Sequence, residues 1–419
     1  MNFKNIFFLV VLILVVLLSL SLFADDDSSG CQISVKRLSP RILVLSFPDD
    51  PMQNNIVALK SEKGIIVIDT HFSPSTADKI RKKIIEELQE DNFAYVIDTH
   101  SHGDHTYGNQ VFSDAVIIGH EDCAFEMLER EKTLPQTTAR LQMMLKHMKD
   151  GLEKMEKTSE EAQAMERQVK YYELALPGLE SGFELTLPEM TFNDRMFLDL
   201  GDLHLYLYYF GLCHSKSDIL IYCPEEGLLM TGDLFSYGHE LYIDSERILN
   251  LDLWEQNLER FTDQDKKINF IVPGHQELLE REELSKHLAF VRNKKEEFKG
   301  KSSALFAMKK IVEEQGIEAA AKGLKEMSTQ PEKYYLLYPE LDQYVYYRML
   351  DGKLDDAVVL FETLAELFSD KAMAYDSLGE VYKRKGNIDL AIKSFKRSLE
   401  LDPNNHNAKM QIEELEKKK

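Results

Sequence analysis

Cysteine is scarce in this chain. Four residues, Cys31, Cys123, Cys213 and Cys223, are scattered through 419 positions with no CxxC pair. That excludes a disulfide-dense scaffold and a cysteine-rich zinc module. Positive charge is in deficit as well, with 50 Lys and Arg against 72 Asp and Glu and a formal net charge of -22. No extended Lys/Arg cluster offsets that balance, and a chain this acidic repels phosphate backbones, so no nucleic-acid partner is expected. With 44% hydrophobic and 29% charged residues, the composition is that of a soluble globular protein and excludes both a disordered chain and a multi-span membrane protein. At roughly 100–200 residues per domain, the length predicts two or three domains.

The one long apolar run is at the start. Lys4 precedes Ile6 to Phe23, and then come Ala24 and three aspartates, Asp25 to Asp27. A cation, an apolar stretch and a small residue before an acidic start read as a secretory signal peptide, residues 1–24, cleaved after Ala24. The run approaches the ~18–20 residues that span a bilayer, so an uncleaved N-terminal anchor is the rival reading. Either way the folded part is exported, periplasmic or secreted, and membrane contact is expected only if the segment stays attached. Cys31 follows Ser28-Ser29-Gly30, but three aspartates separate it from the apolar run and the usual lipobox leucine is missing. Lipidation there is not expected.

From 33 to 295 short apolar runs alternate with helical stretches. Residues 65–68, 95–97, 116–118, 219–222, 228–230 and 269–272 read as buried strands, and the alternating, aromatic-rich stretch 203–210 as a half-exposed one. Between about 121 and 182 the composition turns to Met, Leu, Glu, Gln and Lys. Leu141, Leu145, Met148, Leu152 and Met155, and then Ala162, Met165, Val169 and Tyr172, recur at spacings of three and four. Two amphipathic helices joined by a short turn are expected, a hairpin inserted into the α/β domain. Its stripe serves packing; a lid over a substrate site is the sharper alternative.

The C-terminal part repeats. Gly352, Ala357 and Phe361 recur 34 positions on as Gly386, Ala391 and Phe395, the period of a helix–turn–helix array. With Leu378, Gly379, Tyr382 and Pro403 they resemble the tetratricopeptide repeat, strongly for 372–405 and weakly for 338–371. Residues 302–337 read as a helical linker and 406–419 as the polar capping helix such arrays need. The repeats imply a concave face for a protein partner, or self-association. Unchanged turnover of a small-molecule substrate with lost complex formation on their removal would assign the repeats to partner binding.

The chemistry is concentrated in Thr99-His100-Ser101-His102-Gly103-Asp104-His105, directly after the strand 95–97. Three imidazoles and a carboxylate interleaved in one tight loop present alternate positions in different directions, enough to serve two metal ions. His214, Asp233 and His275 each flank a predicted strand end, where metal ligands are held most rigidly. Neutral imidazoles and carboxylates with no thiolate favour two divalent metal ions, zinc first, with iron or manganese as alternatives.

In this order these residues resemble the metallo-β-lactamase superfamily, whose pattern is HxHxDH followed by His, Asp and His. The resemblance covers residues 33–295 and implies an α/β fold, the αββα metallo-β-lactamase sandwich, here with a helical-hairpin insertion and followed by an all-α tetratricopeptide-like module. It further implies that His100, His102 and His214 bind one metal, that Asp104, His105 and His275 bind the second, and that Asp233 bridges them. Asp69 matches the superfamily's first aspartate motif, which orders the metal loop from behind. Asp104 would also orient the nucleophile, a hydroxide between the two metals whose pKa falls from about 15.7 towards neutrality. The expected function is therefore an exported metallo-hydrolase acting on a carbonyl-type ester, lactone, thioester or amide. The alternatives are a β-lactamase proper, a mono-iron sulfur dioxygenase, and a binding or assembly protein with the metal domain as scaffold. Against the first, the strongest β-lactamases carry Cys where this chain has Asp233 and Lys where it has Ser236. Against a di-iron oxygen reductase, those members carry Glu where this chain has His102. Tyr107, Asn109, Tyr237 and His239 are candidate substrate-pocket residues, and His71 a candidate support for Asp69. His120, His147, His204, His287 and His406 read as structural or exposed.

Overall fold

The computed structural model describes residues 32–417 apart from 154, 156, 157, 236–242 and 264. The expected signal or anchor segment, Cys31, Tyr237 and His239 lie outside the described residues. Among those described, no helix is long and apolar enough to cross a membrane, and Cys123, Cys213 and Cys223 are buried and not disulfide-bonded.

The chain divides into two compact units. The first takes residues up to 209 with 215–237 and 267–279. Its larger sheet has the order β1 (Ser34–Ser39), β2 (Ile42–Ser46), β3 (Ile56–Ser61), β4 (Gly64–Ile68), β5 (Phe93–Ile97), β6 (Val116–His120), β7 (Met190–Phe192). Pairing is antiparallel from β1 to β4 and parallel from β4 to β7. The smaller sheet has the order β12 (Phe270–Pro273), β11 (Leu228–Gly232), β10 (Ile219–Cys223), β9 (His204–Tyr209), β8 (Arg195–Asp199), with only β11 and β12 parallel. The strands β4, β10 and β11 are buried along their whole length, as continuous apolar runs require. Strand β9 alternates instead, with Leu205 and Leu207 buried and Tyr206 and Tyr208 half-buried. One core lies between the sheets, built on Val57, Ile66, Ile97, Leu207, Ile221 and Met230.

The other face of the larger sheet packs on helix α1 (Pro74–Leu88) through Ala77, Ile80, Ile84 and Leu88. Ser73 and Thr76 form a capping box and Pro74 occupies the first turn, which fixes where this helix begins. Helix α2 is a single turn, Gly103–Thr106.

The insertion contains three helices where the spacing predicts two: α3 (Glu121–Glu131), α4 (Leu134–Leu152) and α5 (Glu160–Glu180). Pro135 sits in the first turn of α4 and has no N–H to continue α3, so the run breaks there. The expected stripe Leu141, Leu145 and Met148 is only half-buried. Burial falls on α5, at Ala162 and Val169 of the expected second stripe and at Tyr171, Ala175, Leu176 and Leu179.

The second unit takes 210–214, 238–266 and 280–419, so compactness does not follow the expected boundary at 295. Helices α6 (Ser245–Ile248), α7 (Leu251–Thr262) and α8 (Arg281–Phe298) group with the C-terminal helices. Phe210 stacks on the fully buried Trp254 at 6.0 Å. Arg292 and Lys295 of α8 pair with Glu255 of α7, and Phe298 meets Tyr335 at 4.9 Å. Helices α9 (Ala304–Gln315) and α10 (Ile317–Ser328) share one core with α11 (Tyr338–Leu350), α12 (Leu354–Leu367), α13 (Ala372–Arg384), α14 (Ile388–Leu401) and α15 (His406–Glu416). The expected linker is thus a helical pair of the array itself. In the strong repeat the Phe395 ring lies so close to Gly379 that a Cβ there would come within 2.8 Å of it.

Candidate metal centre

The centre is built around Asp69, where β4 ends. Asp69 is 2% exposed and has φ +61°, an uncommon left-handed conformation for a residue with a side chain. Its N–H donates to the Ile97 carbonyl at 3.1 Å. Its carboxylate accepts from the Thr99 N–H at 2.8 Å, the Thr99 hydroxyl at 2.9 Å and His105 Nδ1 at 2.8 Å. The end of β4 therefore fixes the loop after β5 and the tautomer of His105, whose Nε2 is left with its lone pair. His275 is fixed in the same way, its Nδ1 donating to the Met52 carbonyl at 2.9 Å.

These two lone pairs converge. His105 Nε2 and His275 Nε2 are 3.2 Å apart. Asp233 approaches them at 3.3 and 3.1 Å, and Asp104 Oδ2 at 3.5 and 3.3 Å. Asp104, His105 and His275 form one group of candidate ligands, with all donor atoms within 4.8 Å of one another. His100, His102, His214 and Asp233 form a second group by the same measure. His100 Nε2 lies 3.8 Å from Asp233 Oδ2, which places that carboxylate against both groups. His214 adjoins Ser215, whose N–H and hydroxyl both bond the Asp218 carboxylate.

Lone pairs and carboxylates packed this tightly repel one another unless a cation sits among them. In the metal-free chain protons supply that charge. Burial alone would lower His105, but Asp233, Asp104 and Asp69 hold it well above the usual imidazole value. Burial likewise opposes His275, yet hydrogen bonds to Asp104 and Asp233 push it up to about 9. Against burial, His105 and His275 hold Asp104 below the carboxylate range, and His105 and His100 do the same for Asp233. Nitrogen and hard oxygen donors in two adjoining groups fit divalent ions such as zinc, manganese or iron.

Gly274 is required by this crowding. A Cβ there would stand 2.1 Å from Asp233 Oδ1 and 2.9 Å from His105 Cε1. Gly274→Ala is expected to displace Asp233 and weaken metal binding about 10–100-fold, read by equilibrium competition with a chromophoric chelator.

Two side chains in the site carry no strong sequence signal. Asn54 is 1% exposed, and its Nδ2 donates to the Asp104 carboxylate at 3.2 Å and the Asp104 carbonyl at 3.1 Å. Glu126 on α3 accepts from the hydroxyls of Ser101 and Ser217 at 2.7 and 2.8 Å and from the Lys216 N–H at 3.2 Å. It thereby ties the loop of His100 and His102 to the segment after His214. The serines among the histidines were the available clue, since each needs a partner once buried.

The candidate pocket residues fare differently. Asn109 is fully buried and spends its amide internally, accepting from Thr70 and donating to Asp98 and the Thr186 carbonyl. Nothing of it is left for a substrate; it partners Asp98, whose carboxyl burial pushes well up. Tyr107 is 8% exposed, with its ring against Phe183 at 5.1 Å, part of an apolar cluster with Leu134 and Leu179. It packs the insertion onto the metal loop. His71 turns from Asp69 to Thr76 and Asp50, at 3.0 and 3.5 Å.

The comparisons bear on this arrangement. The family described as the metallo-beta-lactamase superfamily matches residues 49–275, more than half of the chain. The chain belongs to that superfamily. A tetratricopeptide repeat matches residues 372–405. A Metallo-beta-lactamase type 2 from Bacteroides fragilis is 25% identical over 91 residues, 22% of this chain. The chain spans only 36% of that relative's length. A Metallo-beta-lactamase type 2 from Bacillus cereus is 21% identical over 256 residues, 59% of this chain and 78% of the relative. Among solved structures, a metallo-beta-lactamase from Pontibacter korlensis aligns over 62% of this chain and 100% of its own, at 15% identity and TM-score 0.41. The sec-alkylsulfatase Pisa1 from Pseudomonas sp. aligns over 84% of this chain and 62% of its own, at 14% identity and TM-score 0.46.

Proposed function

We propose that this superfamily member is an exported metal-dependent hydrolase of a carbonyl-type ester, lactone, thioester or amide. The observation that carries the reading is the convergence of two ligand groups on Asp233, each with its own histidines. His100, His102 and His214 would hold one divalent ion and Asp104, His105 and His275 the other, with Asp233 between them. Two such ions supply Lewis acidity and bring the pKa of bound water from about 15.7 towards neutrality. Zinc suits the donors best. The N-terminal apolar run supports export, and the repeats support a protein partner or self-association.

The residues divide the work by exposure. His105 and His100 are 1% exposed and Asp233 is 9% exposed at the side chain, so they serve as fixed ligands. Asp104 is more open, at 21%, while Asn54 steadies one of its oxygens. Asp104 is placed to orient the attacking hydroxide as well as to bind metal, which requires no separate general base. The scaffold reading predicts lost ligands, whereas all seven positions are filled.

The test is hydrolysis by the zinc-reconstituted chain of p-nitrophenyl acetate, a simple lactone and nitrocefin, with a chelated sample as control. Metal-dependent turnover of at least one is expected. Two bound zinc ions with no turnover of any would overturn the carbonyl assignment.

A further inference from the structure

The loop carrying His214 belongs to the same compact unit as the C-terminal repeats. We propose that Arg247 and Glu340 are positioning residues for His214, so that the repeat array fixes the backbone of one candidate metal ligand. The proposal rests on His214 being a ligand.

One guanidinium reaches both sides of His214. Arg247, on α6, donates from Nε to the Cys213 carbonyl and from Nη2 to the His214 carbonyl at 3.3 Å. Those carbonyls belong to the two peptide planes on either side of the His214 Cα. Peptide planes are rigid, so holding both removes the two backbone rotations that aim the imidazole. The planar fork of an arginine can do this, and a lysine ammonium cannot. The guanidinium is held in turn by the Asp244 carboxylate, which also caps α6 by accepting the Arg247 N–H at 2.8 Å. Leu212 is tied down too, its N–H donating to Asn250 Oδ1 at 3.3 Å.

Helix α6 has four residues, too few to hold itself together in water. Its hold comes from the array. Glu340, in the first turn of α11, accepts from the Ser245 N–H at 2.7 Å and the Ser245 hydroxyl at 2.8 Å. Ser303, which caps α9, bonds the same hydroxyl. Glu340 is 5% exposed and Ser245 1%. The repeat core uses Leu341, Val345 and Met349 from this helix and has no need of a buried acid. Burying a carboxylate is costly unless its hydrogen bonds are made, and those at Glu340 are made to α6. The path runs from α11 through Ser245 and Arg247 to the peptide planes of a metal ligand.

Metal affinity of the full chain tests this without reference to turnover. Zinc is titrated in competition with a chromophoric chelator, and cobalt(II) absorption reports the coordination of each position. Arg247→Ala and Glu340→Ala should each weaken one of the two metal positions about 10–100-fold, the usual effect of removing a support behind a ligand. The other position should keep its wild-type affinity. The double variant should lose little more than the larger single, because both lie on one path. Glu340→Gln, which keeps an acceptor for Ser245, should stay within about threefold of wild type. Glu366→Ala, which breaks an exposed ion pair to Lys325 in the same array, should change neither position. If Glu340→Ala does not fold, Arg247→Ala carries the test.

A lowered melting temperature with both affinities unchanged would make Arg247 and Glu340 merely structural and overturn the proposal. So would equal weakening of both positions. A wild-type chain that binds two zinc ions and hydrolyses nothing would defeat the proposed function and leave this inference standing.

Discussion

Replacing His105 with alanine should remove one of two bound metal ions and lower kcat/KM by about 10³-fold or more, since each 1.36 kcal/mol of lost transition-state stabilisation is a decade. The size follows from where the residue stands. His105 is 1% exposed, is oriented from behind by Asp69, and faces His275, Asp233 and Asp104 together. Without its imidazole, that group keeps two donors, and two carboxylates are left crowded with one fewer cationic partner. Loss of one Lewis acid costs several kcal/mol of transition-state charge stabilisation. Zinc content and steady-state kinetics on the same preparation check the prediction. A His105→Ala protein with full hydrolytic activity would sink the two-metal reading.

Removing the metal should leave a chain whose stability falls between about pH 6.5 and pH 9. In the metal-free fold His275 is raised from 6.5 to about 9, and His105 is raised in the same direction. A raised folded-state pKa contributes stability that is complete below the unfolded value and is lost as pH climbs through the folded one. Asp104 and Asp233 are depressed, so their contribution is present above about 3.8 and is lost only at strongly acid pH. Zinc acts in the opposite sense. It needs the unprotonated Nε2 of His275, so its affinity rises with pH up to about 9, and bound ligand stabilises by about 2.7 kcal/mol at a hundred times Kd. The gap in melting temperature between zinc-loaded and chelated protein should widen steadily from pH 6 to pH 9. Calorimetry across that range checks it, and a gap that stays constant or narrows would contradict the assignment.

Much of the site was legible because its chemistry is carried by residue types that are rare in combination. Three histidines and an aspartate within one loop can hardly be explained by packing, and the strand runs β4, β5, β6, β10, β11 and β12 placed that loop and the later ligand positions at strand ends. Strands β1 to β3 were not legible. Ser34–Ser39 mixes charged and apolar residues with half-exposed burial, and its strand character comes from pairing with β2. Asn54 and Glu126 were invisible for a related reason. Each acts through a hydrogen bond to a residue far away in sequence, 50 positions for Asn54 with Asp104 and 91 for Glu126 with Ser217. Tyr107 and Asn109 misled because adjacency to a metal loop says nothing about facing its cavity. The Tyr107 ring packs into an apolar cluster, and the Asn109 amide bonds Asp98. The boundary at 295 missed a discontinuous unit, since 210–214 and 238–266 join the C-terminal helices by contacts such as Phe210 with Trp254.

The central claim is a two-metal centre held by His100, His102, Asp104, His105, His214, Asp233 and His275. It is tested most directly by equilibrium dialysis of the full chain against zinc, with metal counted by mass spectrometry. Two zinc ions per wild-type chain and one per His105→Ala chain are expected. Fewer than two in the wild type, or two in both proteins, would contradict it.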